Sequence, residues 1–231
     1  MNSPVLHAHG LVKSFGSTRA LAGIDLEVAS GESVAIMGAS GSGKTTLLHV
    51  LAGITRPDAG RVIFTPAVGT PVEVSALGEG ARSRLRRESF GFVFQQGLLI
   101  PELTAIENVA LAAMITGVSR AEATQRAARW LAALGLQGME DRRIGELSGG
   151  QAQRVAIARA QITGAGVVFA DEPTGALDST TSSEVMDALL WSTTGQGRTL
   201  VVVTHDPQVA ARCSRTIAVR DGRVQGAGVT A

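Results

Sequence analysis

The chain has 231 residues, a formal net charge of +1 at pH 7 and 45% hydrophobic residues, which is enough for a sizeable core. The near-neutral charge gives no broad attraction to nucleic acid, and six Phe and two Trp with no Tyr leave few rings on which bases could stack. We therefore expect a globular domain without a nucleic-acid partner. Its longest apolar stretch, at 109–118, is too short for a membrane helix, so any membrane role would depend on a partner.

Short apolar runs predict the strands of a mostly parallel sheet. These runs are 33–37, 91–94, 166–170 and 199–204, and each is followed by polar residues. Before them, 20–32 alternates apolar and charged residues, which indicates a half-exposed antiparallel strand. Ligands of such α/β sheets bind at the carboxyl ends of the strands, so the polar residues there are the candidates for function.

The segment IMGASGSGKTTLLHVLAGI, residues 36–54, matches the phosphate-binding pattern G-x-x-x-x-G-K-[ST]. Its glycines would let backbone N–H groups surround phosphates, Lys44 would add a positive charge and Thr45 would offer a hydroxyl to Mg²⁺. This predicts a nucleotide site. The residues of this P-loop are Gly38, Ala39, Ser40, Gly41, Ser42, Gly43, Lys44, Thr45 and Thr46.

The middle of the chain has a different character. Residues 65–80 are rich in Gly and Pro and predict a surface excursion. Helical patterns at 104–116 and 120–134 predict a helical subdomain, the second helix opening with a capping box of Ser119 and Glu122. The core side of that helix is expected to contain Ala127, Trp130, Leu131 and Leu134. A basic cluster comprises Arg82, Arg84, Arg86 and Arg87; it is interpreted as a solvated face, and the alternative is a phosphate track.

Two of the buried strands end in side chains suited to hydrolysis. GVVFADEP at 166–173 ends with Asp171, which would hold Mg²⁺, and Glu172, which could act as general base toward a water. TLVVVTHD at 199–206 places His205 where it could donate a hydrogen bond to a γ-phosphate. The alternatives are that the acids cap a helix and that the histidine is structural.

A second glycine turn precedes a helix at LSGGQAQRVAIARA, residues 147–160, and a glycine turn at a helix start can bind an anion. The order of all these motifs resembles that of the nucleotide-binding subunits of ATP-binding cassette (ABC) transporters, over nearly the whole chain. LSGGQ at 147–151 is similar to the signature sequence of that family, which most other P-loop ATPases lack. We name residues 147–151 the signature turn.

The resemblance implies that two subunits associate head to tail and that each ATP lies between the P-loop of one and the signature turn of the other. The residues of the turn that would contact the neighbour's nucleotide are Ser148, Gly149, Gly150 and Gln151. Since the turn contains neither a lysine nor a metal-binding acid, it would be a poor site alone. ATP would close the dimer and hydrolysis would release it.

The resemblance also implies roles for single residues. Phe15 stands where the family places an aromatic ring, usually Tyr, against adenine; Gln95 matches a glutamine that senses the γ-phosphate and Mg²⁺; Asp178 matches a loop that crosses the dimer interface. The predicted Mg²⁺ ligands are Thr45, Gln95 and Asp171. The predicted catalytic residues are Lys44, Gln95, Glu172 and His205.

The predicted fold is a single α/β domain of the P-loop NTPase type found in ABC proteins, a mostly parallel sheet flanked by helices, with an antiparallel β layer and a small helical subdomain. Residues 1–95 and 160–231 would form the core and approximately 96–159 the helical subdomain.

Within the family, the chain resembles a bacterial branch that includes ATPases of lipoprotein release, macrolide export, haem efflux and cell division. The segments that carry this resemblance are 91–109, 172–179 and 201–206. It implies a homodimer at the cytoplasmic face of the membrane that powers a separate integral membrane permease with a large extracytoplasmic domain. The cargo is not predicted, because the permease would select it.

Two other functions are weighed against transport. A soluble ABC-type ATPase of DNA repair would need a long coiled coil between Lys44 and Ser148, where there is room only for a small subdomain, and translation members usually carry two cassettes in one chain. A non-catalytic nucleotide-binding regulator would be favoured by a missing base, but Glu172 is present.

Overall fold

The computed structural model describes residues 4–225; residues 1–3 and 226–231, which the predicted domain includes, lie outside the described residues. Ten strands occur in the described range. They are β1 (Pro4–Phe15), β2 (Thr18–Ala29), β3 (Ser33–Met37), β4 (Ala59–Phe64), β5 (Val72–Glu73), β6 (Phe90–Phe94), β7 (Val167–Asp171), β8 (Thr199–Thr204), β9 (Arg215–Arg220) and β10 (Arg223–Gln225). The α-helices over the same residues are α1 (Lys44–Leu51), α2 (Glu79–Ser89), α3 (Ala105–Met114), α4 (Arg120–Ala133), α5 (Gly149–Gln161), α6 (Ser179–Ser192) and α7 (Pro207–Ala210).

The larger sheet is mostly parallel, as predicted. Its six strands lie in the order β10-β9-β3-β8-β7-β6, and every pairing from β9 to β6 is parallel. The predicted strands at 33–37, 91–94, 166–170 and 199–204 are β3, β6, β7 and β8. All six residues of β8 are buried, which explains its unbroken apolar pattern, since both faces of the sheet are covered.

The smaller sheet is antiparallel and has the order β2-β1-β4-β5. The alternating pattern at 20–32 forms β2, in which Ile24 and Val28 are fully buried whereas Asp25 and Glu27 are exposed. The buried face of this sheet forms one hydrophobic core with α1 and with side chains of the parallel sheet such as Phe169. This core fixes the segment around the P-loop.

A second hydrophobic core covers the opposite face of the parallel sheet and includes residues of α3, α4, α5 and α6. The helices predicted at 104–116 and 120–134 are therefore confirmed as α3 and α4. Because one core joins them to the sheet, the division into a core and a helical subdomain at 96–159 stays a prediction. Within residues 4–225, no helix combines the length and the apolar character needed to cross a bilayer.

The start and the inner face of α4 differ in part from the prediction. Ser119 accepts a hydrogen bond from the backbone of Glu122, but the Glu122 carboxylate pairs with Arg126, so only half of the predicted capping box forms. Leu131 is buried as expected, whereas Trp130 is only half-buried. Its indole packs edge-on against Trp191 of α6, with ring centroids 6.4 Å apart.

The prediction for the basic cluster before β6 is wrong in part, whereas the predicted surface excursion is mostly confirmed. In the basic cluster, Arg84 and Arg87 are exposed, but Arg82 is buried beside Glu79, and Arg86 donates a hydrogen bond of 2.6 Å to the Gly53 carbonyl. The reason is that these two arginines lie one helical turn apart on the inner side of α2. The excursion at 65–80 is mostly exposed, yet Val74 is buried in the first core.

Candidate functional site

The P-loop connects β3 to α1, with Lys44 as the first residue of the helix. Gly43 precedes it at φ 102°, a left-handed conformation that glycine adopts freely. The Lys44 side chain is buried, and its ammonium donates hydrogen bonds to the carbonyls of Gly38 at 2.9 Å and Ala39 at 3.0 Å. Carbonyl groups of the P-loop backbone therefore hold the Lys44 ammonium over the loop.

The strand order brings the other predicted residues to the same edge. Because β8 lies between β3 and β7, the carboxyl ends of these three strands are adjacent. Thr45 donates a hydrogen bond of 3.3 Å to Asp171 at the end of β7. Burial raises the pKa of the Asp171 carboxyl, and the Thr45 hydrogen bond only partly opposes that effect. Partial burial makes this an unfavourable place for a negative charge, and a bound cation would relieve that cost.

These two oxygens fit the chemistry of Mg²⁺, which prefers hard oxygen ligands and usually retains waters and substrate phosphates in its shell. In the part of the chain that the structure describes, no group of three or more His, Cys, Asp or Glu side chains could hold a metal ion. Thr45 and Asp171 could thus supply only part of the coordination, and the remainder would come from nucleotide, water and the predicted ligand Gln95.

Glu172 diverges from Asp171, as its predicted separate role requires. Its backbone has φ 47°, which is uncommon for a residue other than glycine and is often found at functional sites. Its carboxylate is largely covered, and Nδ1 of His205 lies 2.9 Å from its Oε1 atom. Neither acid caps a helix, since the following helix α6 is capped by Asp178. The helix-capping alternative for the two acids is therefore wrong.

The contact between Glu172 and His205 constrains the histidine tautomer. A carboxylate only accepts hydrogen bonds, so Nδ1 of His205 carries the proton in this contact. In a neutral ring Nε2 then has no proton to donate. The predicted donation from His205 to a γ-phosphate consequently requires a doubly protonated ring or a change of the contact with Glu172.

The signature turn forms the N-terminus of α5 and contains a full capping box. Ser148 caps α5 by accepting a hydrogen bond from the Gln151 backbone at 3.3 Å, and the Gln151 side chain accepts one from the Ser148 backbone at 2.9 Å. A Cβ atom at Gly150 would lie 2.4 Å from the Thr181 side chain of α6, so this glycine is required by packing within the chain. The side-chain oxygen of Gln151, a residue predicted to contact a nucleotide, is used in this cap.

The loop after β6 contains Gln95, whose amide nitrogen lies 3.0 Å from the position of a Cβ on Gly175, in the loop that follows β7. We define residues 95–99 as the Gln95 loop. The signature helix α5 binds this loop through Arg159, which donates hydrogen bonds of 2.6 Å to the carbonyls of Gly97 and Leu98. Burial lowers the pKa of the Arg159 guanidinium from its ordinary value. A half-buried cation thus ties the helix to the loop.

A second link starts from Gln153 of α5, which is buried and donates a hydrogen bond of 3.0 Å to the carbonyl of Phe94 at the end of β6, directly before the Gln95 loop. Sequence reasoning missed both Gln153 and Arg159. For Arg159 the available signal was its position among the apolar residues of VAIARA, which is expected of a polar side chain that has internal partners.

Phe15 and Asp178 are both exposed. Phe15 ends β1 and is 56% exposed, so its ring is open to a stacking partner, and the Lys13 ammonium lies 5.5 Å from the ring centroid. Asp178 accepts hydrogen bonds from the backbone of Thr181 at 3.0 Å and from its hydroxyl at 2.7 Å. Capping of α6 is thus a structural role for Asp178 in the single chain.

Comparison with known proteins matches the family described as "ABC transporter" over residues 21–175. The macrolide export ATP-binding/permease protein MacB of Nitrosomonas europaea is 44% identical over 98% of this chain and 34% of its own length. The pyoverdine export ATP-binding/permease protein PvdT of Pseudomonas syringae pv. syringae is 46% identical over 97% of this chain and 34% of its own length. The chain therefore spans about a third of the length of these curated relatives.

Among solved structures, the dimeric post-hydrolysis state of the ATP-binding cassette MJ0796 bound to ADP and Pi is 37% identical, with a TM-score of 0.84 and coverage of 96% of this chain and 97% of that one. The structure of cbiO1 from Clostridium perfringens, part of an ABC transporter complex, has a TM-score of 0.85 at 29% identity, with coverage of 97% and 88%. The fold, the order of the motifs and these similarities together show that the chain belongs to the ABC transporter family and is an ATPase cassette of that family.

Proposed function

We propose that this cassette hydrolyses ATP with Mg²⁺ as a head-to-tail homodimer and that dimer closure drives an integral membrane permease of an export system. The observation that carries the proposal is the cluster at the carboxyl edge of the parallel sheet. Thr45 contacts Asp171 there, and Glu172 contacts His205. The first pair would bind the metal ion, and the second pair would take part in proton transfer.

Each side chain in the cluster has a definite task in hydrolysis. Lys44 neutralises phosphate charge, and Thr45 with Asp171 would hold Mg²⁺, which when bound withdraws charge from phosphate oxygens. Glu172 accepts a proton from the attacking water. The water oxygen bonds to the γ-phosphorus as the bond between that phosphorus and the leaving ADP oxygen breaks. His205 orients the Glu172 carboxylate through the contact at 2.9 Å.

The shared site is supported by the unequal chemistry of the two glycine turns. The P-loop has a buried lysine and a nearby acid, whereas the signature turn, residues 147–151, contains neither. A helix N-terminus with backbone donors suits the γ-phosphate of a nucleotide that another loop already holds. The relative MJ0796 is described as dimeric, which supports the same arrangement here.

The permease is proposed to bind a groove beside the Gln95 loop. This groove has a volume of about 340 Å³, and Leu98 and Ile115 on its lining are 59% and 56% exposed. Other lining side chains include Phe92, Phe94, Arg87 and Arg159. Exposed apolar side chains gathered in a groove indicate a protein interface. The relatives named ATP-binding/permease export proteins support a permease as the occupant and the cytoplasmic face of the membrane as the location.

Hydrolysis and dimerisation are tested with Glu172→Gln. We expect this variant to bind MgATP, to lose about 100-fold or more in turnover because the base is missing, and to accumulate an ATP-bound dimer in size-exclusion chromatography with light scattering. Glu27→Gln, an exposed position on β2, is the charge-matched control and should behave like the wild-type chain. Unchanged turnover of Glu172→Gln would remove Glu172 from the role of base.

The permease is tested by site-specific photocrosslinking in native membranes with ATP present. A photoreactive residue at Ile115 should capture an integral membrane protein, and the same residue at the fully exposed Val68 should not. Capture of ribosomal or DNA-bound proteins from Ile115 would instead favour a soluble ABC-type ATPase and would leave the ATPase assignment standing.

A further inference from the structure

The side of the P-loop that faces the protein lies directly against the backbones of two strands. A Cβ atom at Gly38 would be 2.1 Å from the carbonyl oxygen of Val219 in β9, and a Cβ atom at Gly43 would be 2.3 Å from that of Ala20 in β2. Both distances are far below contact distance and involve backbone atoms. The loop therefore has no room to move toward these strands.

A third segment, the turn between β9 and β10, completes this contact. Its two residues have positive φ angles, 50° at Asp221 and 70° at Gly222, which is the requirement of a two-residue type I′ hairpin and suits an Asp-Gly sequence. Gly222 is buried. Its N–H donates to the Ser42 carbonyl of the P-loop at 3.1 Å, and its carbonyl accepts from Ala22 of β2 at 2.8 Å.

We propose that Gly222 is a positioning residue of the phosphate site, acting through the P-loop backbone. A trans peptide directs its C=O and N–H to opposite sides. Since Gly222 holds the Ser42 carbonyl, it also directs the N–H of Gly43 to the side away from the turn. Phosphate binding by a P-loop depends on such oriented N–H groups. The inference rests on the proposed function only in that this loop binds the phosphates of ATP.

The turn and the P-loop also share one carbonyl. A Cβ atom at Gly222 would lie 2.8 Å from the Ala20 oxygen and 3.2 Å from the Ala22 nitrogen. The Ala20 oxygen is the atom that Gly43 approaches as well. A side chain at position 222 would therefore displace β2 or the turn, and the displacement would reach Gly43 through that oxygen.

Side chains of the loop do not replace this support. The Ser42 hydroxyl is buried and has no hydrogen-bond partner among the described residues, so the position of Ser42 depends on its backbone contacts. One of these is its N–H, which donates to the Ala39 carbonyl at 3.1 Å within the loop. The contact from Gly222 joins Ser42 to another element.

The test compares Gly222→Asn with Gly197→Asn. Gly197 has nearly the same backbone angle, φ 72°, but it is exposed and a Cβ atom there would meet nothing within 4 Å. Asparagine tolerates left-handed angles, so both variants keep the turn geometry and only Gly222→Asn adds the steric contact. We expect the Kd for MgATP, measured by isothermal titration calorimetry, to rise about tenfold or more in Gly222→Asn and to stay unchanged in Gly197→Asn.

A second variant removes only the N–H of Gly222. Cys213, the single cysteine, allows a synthetic segment 213–231 to be joined to residues 1–212 by native chemical ligation, with an ester in place of the amide between Asp221 and Gly222. Loss of one hydrogen bond should raise the Kd about threefold to tenfold relative to the ligated all-amide chain. This variant has no added atoms, so it remains informative if Gly222→Asn does not fold.

The outcomes separate the two proposals. If the wild-type chain itself does not bind MgATP, the proposed function fails. If the wild-type chain binds and both Gly222 variants bind with the same Kd while only their thermal stability falls, Gly222 is merely structural and the inference is overturned. Weaker binding by both Gly222 variants, together with wild-type affinity of Gly197→Asn, supports the positioning role.

Discussion

The P-loop and the signature turn both place glycines at the start of a helix, but the structure holds them by different means. Backbone atoms of β2, β9 and the turn at Gly222 fix the P-loop, and Lys44 lies buried over it. The signature turn belongs to a helix that Gln153 ties to the end of β6 and that Arg159 ties to the Gln95 loop. The comparison teaches that a glycine turn becomes a self-contained phosphate site only when a cation accompanies a fixed backbone.

The largest expected effects, on MgATP binding and on dimerisation, come from substitutions that disable the P-loop or the signature turn. Lys44→Ala should abolish detectable MgATP binding to the monomer, because the buried charge is lost. Ser148→Arg should leave monomer binding within about threefold of wild type but abolish dimerisation and turnover, because a large side chain would fill the exposed signature turn. Calorimetry gives the affinity and light scattering gives the dimer. A Ser148→Arg chain that still dimerises on ATP would refute the shared site.

Mixing these two inactive variants sharpens the comparison. In a mixed dimer, the intact P-loop of the Ser148→Arg chain faces the intact signature turn of the Lys44→Ala chain, whereas the other site is broken on both sides. Random mixing should therefore restore up to about a quarter of the wild-type turnover if one site suffices. No recovery at any mixing ratio would mean either that both sites are needed or that the head-to-tail arrangement is wrong. Cross-linking of the mixed dimer distinguishes these two cases.

An intermediate effect is expected from the link between the signature helix and the Gln95 loop. Arg159→Gln removes charged hydrogen bonds to the Gly97 and Leu98 carbonyls, and should lower the free energy of unfolding by about 2 to 3 kcal/mol. The kcat for ATP hydrolysis should fall, because the Gln95 loop loses its link to the signature helix. The Kd of the monomer for MgATP should stay near wild type, because β2, β9 and Gly222 hold the P-loop. Urea unfolding and steady-state kinetics measure the two quantities.

The control for this prediction is Arg126→Gln on α4, whose half-exposed side chain pairs with Glu122 and should contribute less than about 0.5 kcal/mol. If Arg159→Gln weakened monomer binding of MgATP as strongly as it reduced kcat, the two glycine turns would not be held independently.

The smallest effect concerns the acid beside the P-loop. Burial raises the pKa of the Asp171 carboxyl. The folded protein is therefore stabilised while this carboxyl is protonated, and the stabilisation is lost as pH rises through the pKa of the folded state. At pH 7 without metal the ionised form destabilises the fold. Asp171→Asn should therefore raise the Tm at pH 7 by about 1 to 2 °C, a small change because the carboxylate is partly exposed.

Calorimetry with a chelator at pH 7 and near pH 4 measures this effect, and the gain in Tm should shrink at the lower pH. The exposed Asp141→Asn is the matched control. A lower Tm of Asp171→Asn at pH 7 would show that the hydrogen bond from Thr45 outweighs the burial of the carboxylate.

Much of the fold and of the site could be predicted because local patterns determine them. Unbroken apolar runs become strands of a covered parallel sheet, and the polar residues after them meet at one edge, which is how Asp171 and His205 come close to the P-loop. The roles of the predicted site residues themselves stay predictions. The Asp-Gly pair at 221–222, flanked by alternating apolar residues, was a hairpin signal that could have been recognised.

The rest depends on contacts between residues far apart in sequence. No local pattern shows that Gly222 bonds to Ser42 or that Arg159 bonds to the Gln95 loop. For the same reason the prediction of a solvated face is wrong for Arg82 of α2, because its burial depends on elements that pack against the helix only after folding. Local periodicity determines which element forms, whereas tertiary packing determines what its polar side chains contact.

The contact between Trp130 and Trp191 has a spectroscopic consequence. These are the only tryptophans of a chain that has no tyrosine. When only indole rings are excited, the intrinsic fluorescence therefore comes from this one pair of rings. The pair bridges α4 and α6, one helix on each side of the proposed division of the domain. The emission of the unlabelled protein therefore reports any shift between these two helices when nucleotide binds.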